Sequence, residues 1–164
     1  MVFQSRNFYA NLIEKKDIRE VLNVYNSNNY FLINHMDTNK VTSEWILREL
    51  EDMRVIGFNS YKIVEIKTRK IIGIIDFKFD DETYLSLLMI HRDFQGKGFG
   101  KLILQEFEEY AKSLKSKCIR IDVVSNYDNS VLEFWFNNGF VKFKDVELNW
   151  SGRVLPAVIM KKFL

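Results

Sequence analysis

The segment Leu88-Met89-Ile90-His91-Arg92-Asp93-Phe94-Gln95-Gly96-Lys97-Gly98-Phe99-Gly100-Lys101 carries an apolar strand through three alternating glycines into a strongly amphipathic helix. Glycine lets a backbone turn sharply and come close to a ligand, and the helix that follows offers unpaired N–H donors at the positive end of its dipole. A turn of this kind binds anions, most simply phosphate. Lys97 and Lys101 fall in or beside the first helical turn, where the dipole disfavours a cation unless a bound anion offsets it. Lys112, Lys115 and Lys117 lie near the other end, where the dipole favours them. Two common phosphate signatures fail here. A Walker loop requires glycine where Gln95 stands and Ser or Thr where Leu102 stands, and the dinucleotide fingerprint requires a third glycine where Lys101 stands.

The order Gln95-x-x-Gly98-x-Gly100 resembles the signature of the GNAT superfamily of N-acetyltransferases, whose loop grips the pyrophosphate of acetyl-coenzyme A (acetyl-CoA). A second block, Val131-Leu132-Glu133-Phe134-Trp135-Phe136-Asn137-Asn138-Gly139-Phe140, resembles that superfamily's later helix ending in Gly-Phe and lies at a fitting distance downstream. With the order of elements, the resemblance spans almost the whole chain, the segment before residue 60 matching only loosely. It implies acetyl-CoA as cosubstrate, held by Gln95, Gly96, Lys97, Gly98, Phe99, Gly100 and Lys101. Backbone groups of Leu88, Met89 and Ile90 would pair with the pantetheine amides as an added strand does. Asn126 or Asn129 would add a contact, since Asp128 stands where relatives often have Asn. The implied reaction is direct transfer of acetyl to a primary amine of a small molecule or peptide within a ternary complex, with no metal.

A protonated amine must lose a proton before it attacks. The register in which relatives carry Glu or His, early in the strand before the loop, here gives Tyr84 and Ser86. Asp76, alone among the apolar residues of Gly73-Ile74-Ile75-Asp76-Phe77, is expected to face the same cleft from the neighbouring strand as a base of raised pKa, or else to pair with Lys78 or a backbone donor. Tyr84 is the second catalytic candidate. Trp135 stands where relatives often have a Tyr that protonates the departing thiolate. Its indole is not a practical acid, so Trp135 is expected to pack beside the sulfur end of the cofactor. A thiol with a pKa of about 8.5 leaves without full protonation. The missing Glu and Tyr keep an alternative open, a non-catalytic acyl-CoA-binding or sensing module. His35 and His91 are expected to be solvent-facing or hydrogen-bonded.

The elements that must position these residues follow from periodicity. Residues 8–13 read as a strand, and Asp17 begins a helix with Ile18, Val21, Leu22 and Tyr25 on one face, stopped by Asn26 to Asn29. Residues 28–41 read as a loop with exposed Tyr30, Phe31 and His35. A helix over 42–53, capped at Thr42, points Trp45, Ile46, Leu50 and Met53 inward. Strands over 60–67, 71–79 and 84–90 form a meander. A helix over 99–115, with Ile103, Phe107, Tyr110, Ala111 and Leu114 at core spacing, crosses over to a strand at 118–124 parallel to 84–90. A helix over 129–138 and strands over 140–149 and 154–162, turning at Ser151-Gly152, complete the chain. Pro156 favours an edge position or a bulge for the last strand. The expected fold is α/β, a mixed, mostly antiparallel sheet with flanking helices. In the GNAT-like form that the resemblance implies, the fourth and fifth strands splay apart.

Composition bounds the rest. A length of 164 residues suits one domain over 1–164, and 47% hydrophobic content with 14 Phe supplies a sizeable core. Net charge +2, with lysines dispersed among acids, gives no stripe for nucleic acid. The single Cys118 cannot form an internal disulfide. No secretory leader and no apolar run of roughly 20 residues is visible, so no membrane association and a cytoplasmic location are expected. An exposed edge among the C-terminal strands makes a homodimer an option.

Overall fold

Alternating apolar runs pair into one sheet in a computed structural model that describes residues 1–150 and 152–164. The expected turn at Ser151-Gly152 lies partly outside the described residues. The strands are β1 (Phe3–Gln4), β2 (Phe8–Leu12), β3 (Asn59–Glu65), β4 (Ile71–Phe79), β5 (Thr83–Ile90), β6 (Cys118–Val124), β7 (Val141–Trp150) and β8 (Arg153–Phe163). The helices are α1 (Ile18–Ser27), α2 (Asn29–Met36), α3 (Ser43–Val55), α4 (Phe99–Ser113) and α5 (Asn129–Asn137). Across the sheet the order is β1-β2-β3-β4-β5-β6-β8-β7. Among the described residues β5 and β6 are the one parallel pair, so the sheet is mixed and mostly antiparallel, as expected.

The sheet buries both faces. Ile72, Ile75, Phe77 and Leu85 meet Ile103, Phe107 and Ala111 of α4 on one side. Ile71, Ile74, Leu87 and Met89 meet Ile18, Val21 and Val24 of α1 and Ile46 of α3 on the other. Burying such side chains is worth roughly 1.5 to 3 kcal/mol each, which makes these two layers the main support of the strands.

β5 changes faces between Leu85 and Leu87, and the reason is local. Phe77 pairs with Leu85 while Asp76 pairs with Leu87, so Ser86 is an extra residue in β5. A bulge bends its strand. Pairing of β5 with β6 covers Thr83, Tyr84 and Leu85 and stops there, although both strands run on to Ile90 and Val124. This divergence is the expected splay, at what an additional N-terminal strand makes β5 and β6. On the other flank β4 is pressed close: a Cβ on Gly73 would lie 2.8 Å from the Met89 carbonyl oxygen and 3.0 Å from Ile90 Cδ1.

Four expectations are corrected. Residues 29–36 are helix rather than loop, separated from α1 by Asn28, whose side-chain amide donates to Val24 O (2.9 Å) and Ile90 O (3.1 Å). His35 is buried within it. Leu114 is exposed because α4 ends at Ser113. Pro156 lies in β8, an interior strand, without a bulge beside it. Its carbonyl accepts from Ser125 N (3.0 Å) just past the last β6–β8 pair, Val124 with Ala157, so the ladder bond that proline cannot make falls at the end of that pairing.

Candidate active site

β5 ends at Ile90 and a 3-10 turn over Arg92–Phe94 leads to the glycines. Gly96 (φ 71°) and Gly98 (φ 82°) adopt left-handed backbone, and a Cβ at either would meet nothing within 4 Å, so open space lies in front of both. Gly98 is the N-cap of α4, which has no side-chain cap and no acidic residue in its first turn. Two other helices differ: Thr42 accepts from Trp45 N (3.1 Å) at α3, and Asp128 accepts from Ser130 N (2.9 Å) at α5. Leu102 is the first α4 residue to reach back, to Gly98 O at 3.2 Å. The N–H groups of Phe99, Gly100 and Lys101 therefore have no partner within the helix, and Lys101 stands beside them. Gln95 braces the loop from behind, its amide donating to Asn28 Oδ1 (2.8 Å) and Ile90 O (2.9 Å).

From this loop a cavity of about 1050 Å³ extends into the splay. His91 N donates to Ile72 O (2.8 Å) across β4, and strand alternation then turns the backbone of Met89 to β4 and that of Leu88 and Ile90 to the splay. The Ile90 carbonyl is taken by Asn28 and Gln95, which leaves Leu88 as the residue whose N–H and C=O both face the gap without those braces. Met89 borders the cavity, yet its side chain belongs to the α1–α3 core. Trp135 forms part of the wall, 4% exposed, with its ring edge-to-face against Phe134 and Phe140 at 5.1 Å each.

Leu88, Met89, Ile90, Gln95, Gly96, Gly98, Gly100, Lys101 and Trp135 thus border one cavity, while four expected cofactor residues do not. Lys97 turns its ammonium over the Phe94 ring at 5.4 Å. The Phe99 ring packs edge-to-face against Phe94, so only its N–H faces the loop. Asn126 and Asn129 are exposed, and Tyr127, Asp128 and Ser130 take the wall instead.

Both catalytic expectations need correction. Asp76 is not among the cavity-lining residues, because its register with Ser60 and Leu87 turns it toward the α1–α3 layer. It is 4% exposed, its Oδ1 has no hydrogen-bond partner, and burial pushes its pKa up to about 7, partly offset by Ser60 and reinforced by Glu49. Tyr84 is outside the wall as well. Its hydroxyl donates to Asp122 Oδ2 (2.7 Å), and burial together with that carboxylate raises its pKa well above the phenolic value.

Asp122 is the residue the sequence reading missed. It follows Ile121, the last β6 residue paired with β5, and it borders the cavity. Arg120 grips it with two bonds of 2.8 Å and lies 4.6 Å over the Tyr84 ring. Ile119, Ile121 and Val123 alternate into the α4 core with Arg120 and Asp122 between them, a period-2 signal that was available in the sequence. An aromatic wall was missed too. Phe31 and His35 stack at 3.9 Å, and Tyr127 and Trp150 set their edges to His35 at 5.3 Å each. Burial lowers the His35 pKa to about 4, with Arg153 adding and the Phe31 carbonyl opposing, so the imidazole is neutral at pH 7.

The family model for acetyltransferases (GNAT) matches residues 18–140. A search of curated proteins finds no match. Among solved structures, an acetyltransferase from Thermus thermophilus superposes with a TM-score of 0.78 at 20% identity, over 96% of this chain and 97% of that one. A spermidine N-acetyltransferase from Vibrio cholerae, in complex with CoA and spermine, gives 0.73 at 15% identity over 97% and 96%. The PaiA N-acetyltransferase from Thermoplasma acidophilum, in complex with coenzyme A, gives 0.66 at 17% identity over 96% and 99%. At these identities the likeness is one of fold.

Proposed function

The chain belongs to the GNAT acetyltransferase family, and from that premise we propose that it transfers acetyl from acetyl-CoA to a primary amine by direct attack in a ternary complex. The observation that carries the reading is the continuity of one cavity from an uncapped, glycine-led helix N-terminus into the gap between β5 and β6. The fit to the coenzyme is chemical: donors without helical partners and Lys101 suit a pyrophosphate, and the free strand edge at Leu88 suits the amides of an extended arm. When bound, acetyl-CoA supplies acetyl as a thioester, which an amine nitrogen displaces from sulfur as an amide forms. Leu88 N–H is placed to donate to a carbonyl oxygen in the splay. Asp122, pinned by Tyr84 and Arg120, retains acceptor capacity for an incoming amine and is the group we assign to orienting it and passing its proton to solvent. Trp135, in the cavity wall on the α4 side, is the residue we assign to packing beside the sulfur end of the coenzyme. No helix of the described residues is long and apolar enough to cross a membrane. We place the protein's work in the cytoplasm.

An amine panel assayed for thiol release, with each product identified by mass, tests this. The expected result is amine-dependent thiol release with a product heavier by one acetyl group. Acetyl-CoA binding with no amine-dependent release across the panel would instead make the chain an acyl-CoA-binding module.

A further inference from the structure

The cavity reaches both faces of the sheet. Leu88, Ile90 and Trp135 belong to the α4-side core, whereas Phe31 packs against the α1–α3 core. With the glycine loop, Leu88 and Trp135 assigned to the coenzyme, the remaining wall includes an aromatic cluster: Tyr30, Phe31 and His35 from α2, Tyr127 from the β6–α5 loop and Trp150 from the end of β7. Its polar atoms are largely turned on one another. The Tyr30 hydroxyl donates to Tyr127 O (3.1 Å), and His35 Nδ1 has both Phe31 O (3.0 Å) and the Tyr127 hydroxyl (3.2 Å). The neutral imidazole adds no charge.

Carboxylates are scarce here. Among the described residues Asp122 and Asp128 are the two that border the cavity. Asp122 is committed to Arg120, Tyr84 and the reacting amine, and Asp128 Oδ1 takes Ser130 N (2.9 Å) and the Ser130 hydroxyl (2.6 Å). Arg153, held on Ile33 O and Asn34 O at 3.2 Å each, acts on His35 and repels another positive charge there, and the cations that border the cavity itself are Arg92 and Lys101. Among the described residues that border the cavity, a second ammonium would find Asp128, at the N-cap of α5, as its one carboxylate not already paired with a cation, so most of its desolvation would go uncompensated. A flat apolar group would instead meet ring edges and faces in the arrangement aromatic pairs favour.

Resting on the function proposed above, we infer that the aromatic wall is the acceptor subsite and that the acceptor is a monoamine on an aromatic body. The test uses the full chain saturated with CoA, with 2-phenylethylamine and spermidine as probes and calorimetric titration as readout. 2-Phenylethylamine is expected to bind at least about tenfold more tightly than spermidine. Trp150→Ala should weaken 2-phenylethylamine by about tenfold or more, and Trp150→Phe, which keeps a ring, by no more than about threefold. CoA affinity on the same samples reports that each variant is folded. Equal or tighter spermidine binding, or an unchanged affinity in a folded Trp150→Ala, overturns the inference and leaves acetyl transfer standing. Failure of the unaltered chain to bind CoA overturns the reading on which it rests, and this inference with it.

Discussion

Desolvation governs Asp76 more than any partner does, and it gives this residue a signature in pH. Its folded-state pKa, about 7, stands above the unfolded value of 3.8, so the folded chain holds the proton more tightly. That contribution is present in full below about pH 4, is lost progressively up to about pH 7, and above that the buried charge must be borne; stability falls across the window. Asp76→Asn should flatten this decline and raise the melting temperature at pH 8, by an amount whose ceiling is on the order of 4 kcal/mol for a three-unit shift. Because Asp76 lies off the cavity wall, acetyl transfer should stay within about threefold of the parent. Thermal melts from pH 4 to 8, alongside thiol-release kinetics, check both halves. A hundredfold loss of turnover at unchanged stability would return Asp76 to the chemistry. The same residue shows where single-residue reading ran out. A lone carboxylate in an apolar strand was visible, but Ile75 and Phe77 on either side of it pack against α4, so alternation turns Asp76 to the α1–α3 layer, and which layer lay on which side of β4 was not legible from the strand alone.

At the scale of elements, the site depends on how closely β4 and β5 approach opposite the splay. Gly73 has ordinary backbone angles, so its requirement is purely one of space, and Gly73→Ala must push β5 away from β4 or shift Ile90. The expected cost is about 1 to 3 kcal/mol, with weaker CoA binding as Leu88 and Ile90 move. Calorimetry and thermal melts on the variant measure this, and a Gly73→Ala protein of parental stability and affinity would contradict it. Most elements were legible. Strong alternation marked β4, β5 and β6, and the glycines marked the start of α4. The helix α2 was not, for a physical reason: Asn26 to Asn29 reads as a stop, and the eight residues of Asn29–Met36 are too few to be helical by propensity alone. They are held by tertiary contacts, with Leu32 fully buried and Asn28 tied to Ile90. Missing α2 meant missing the aromatic wall, since Tyr30, Phe31 and His35 read as exposed.

Taken whole, the molecule is a sheet with a core on each face and one opening through it, made where a bulge parts two strands that begin as neighbours. A ligand that fills this opening bridges both layers and binds only the folded state, so it should raise the melting temperature. At a hundred times its dissociation constant the gain is about 2.7 kcal/mol, or roughly 5 to 10 °C for a chain of this size. The most direct test compares this shift, together with calorimetric acetyl-CoA binding, in the parent chain and in Gly98→Val. Gly98 carries φ 82° with open space before it, so a branched side chain strains the turn and projects where a pyrophosphate would approach while touching nothing in the fold. The account predicts that the parent binds acetyl-CoA and is stabilised by it, whereas Gly98→Val folds, with its unliganded melting temperature lowered by no more than several degrees, and neither binds nor shifts. A folded Gly98→Val chain that binds acetyl-CoA with parental affinity would contradict it.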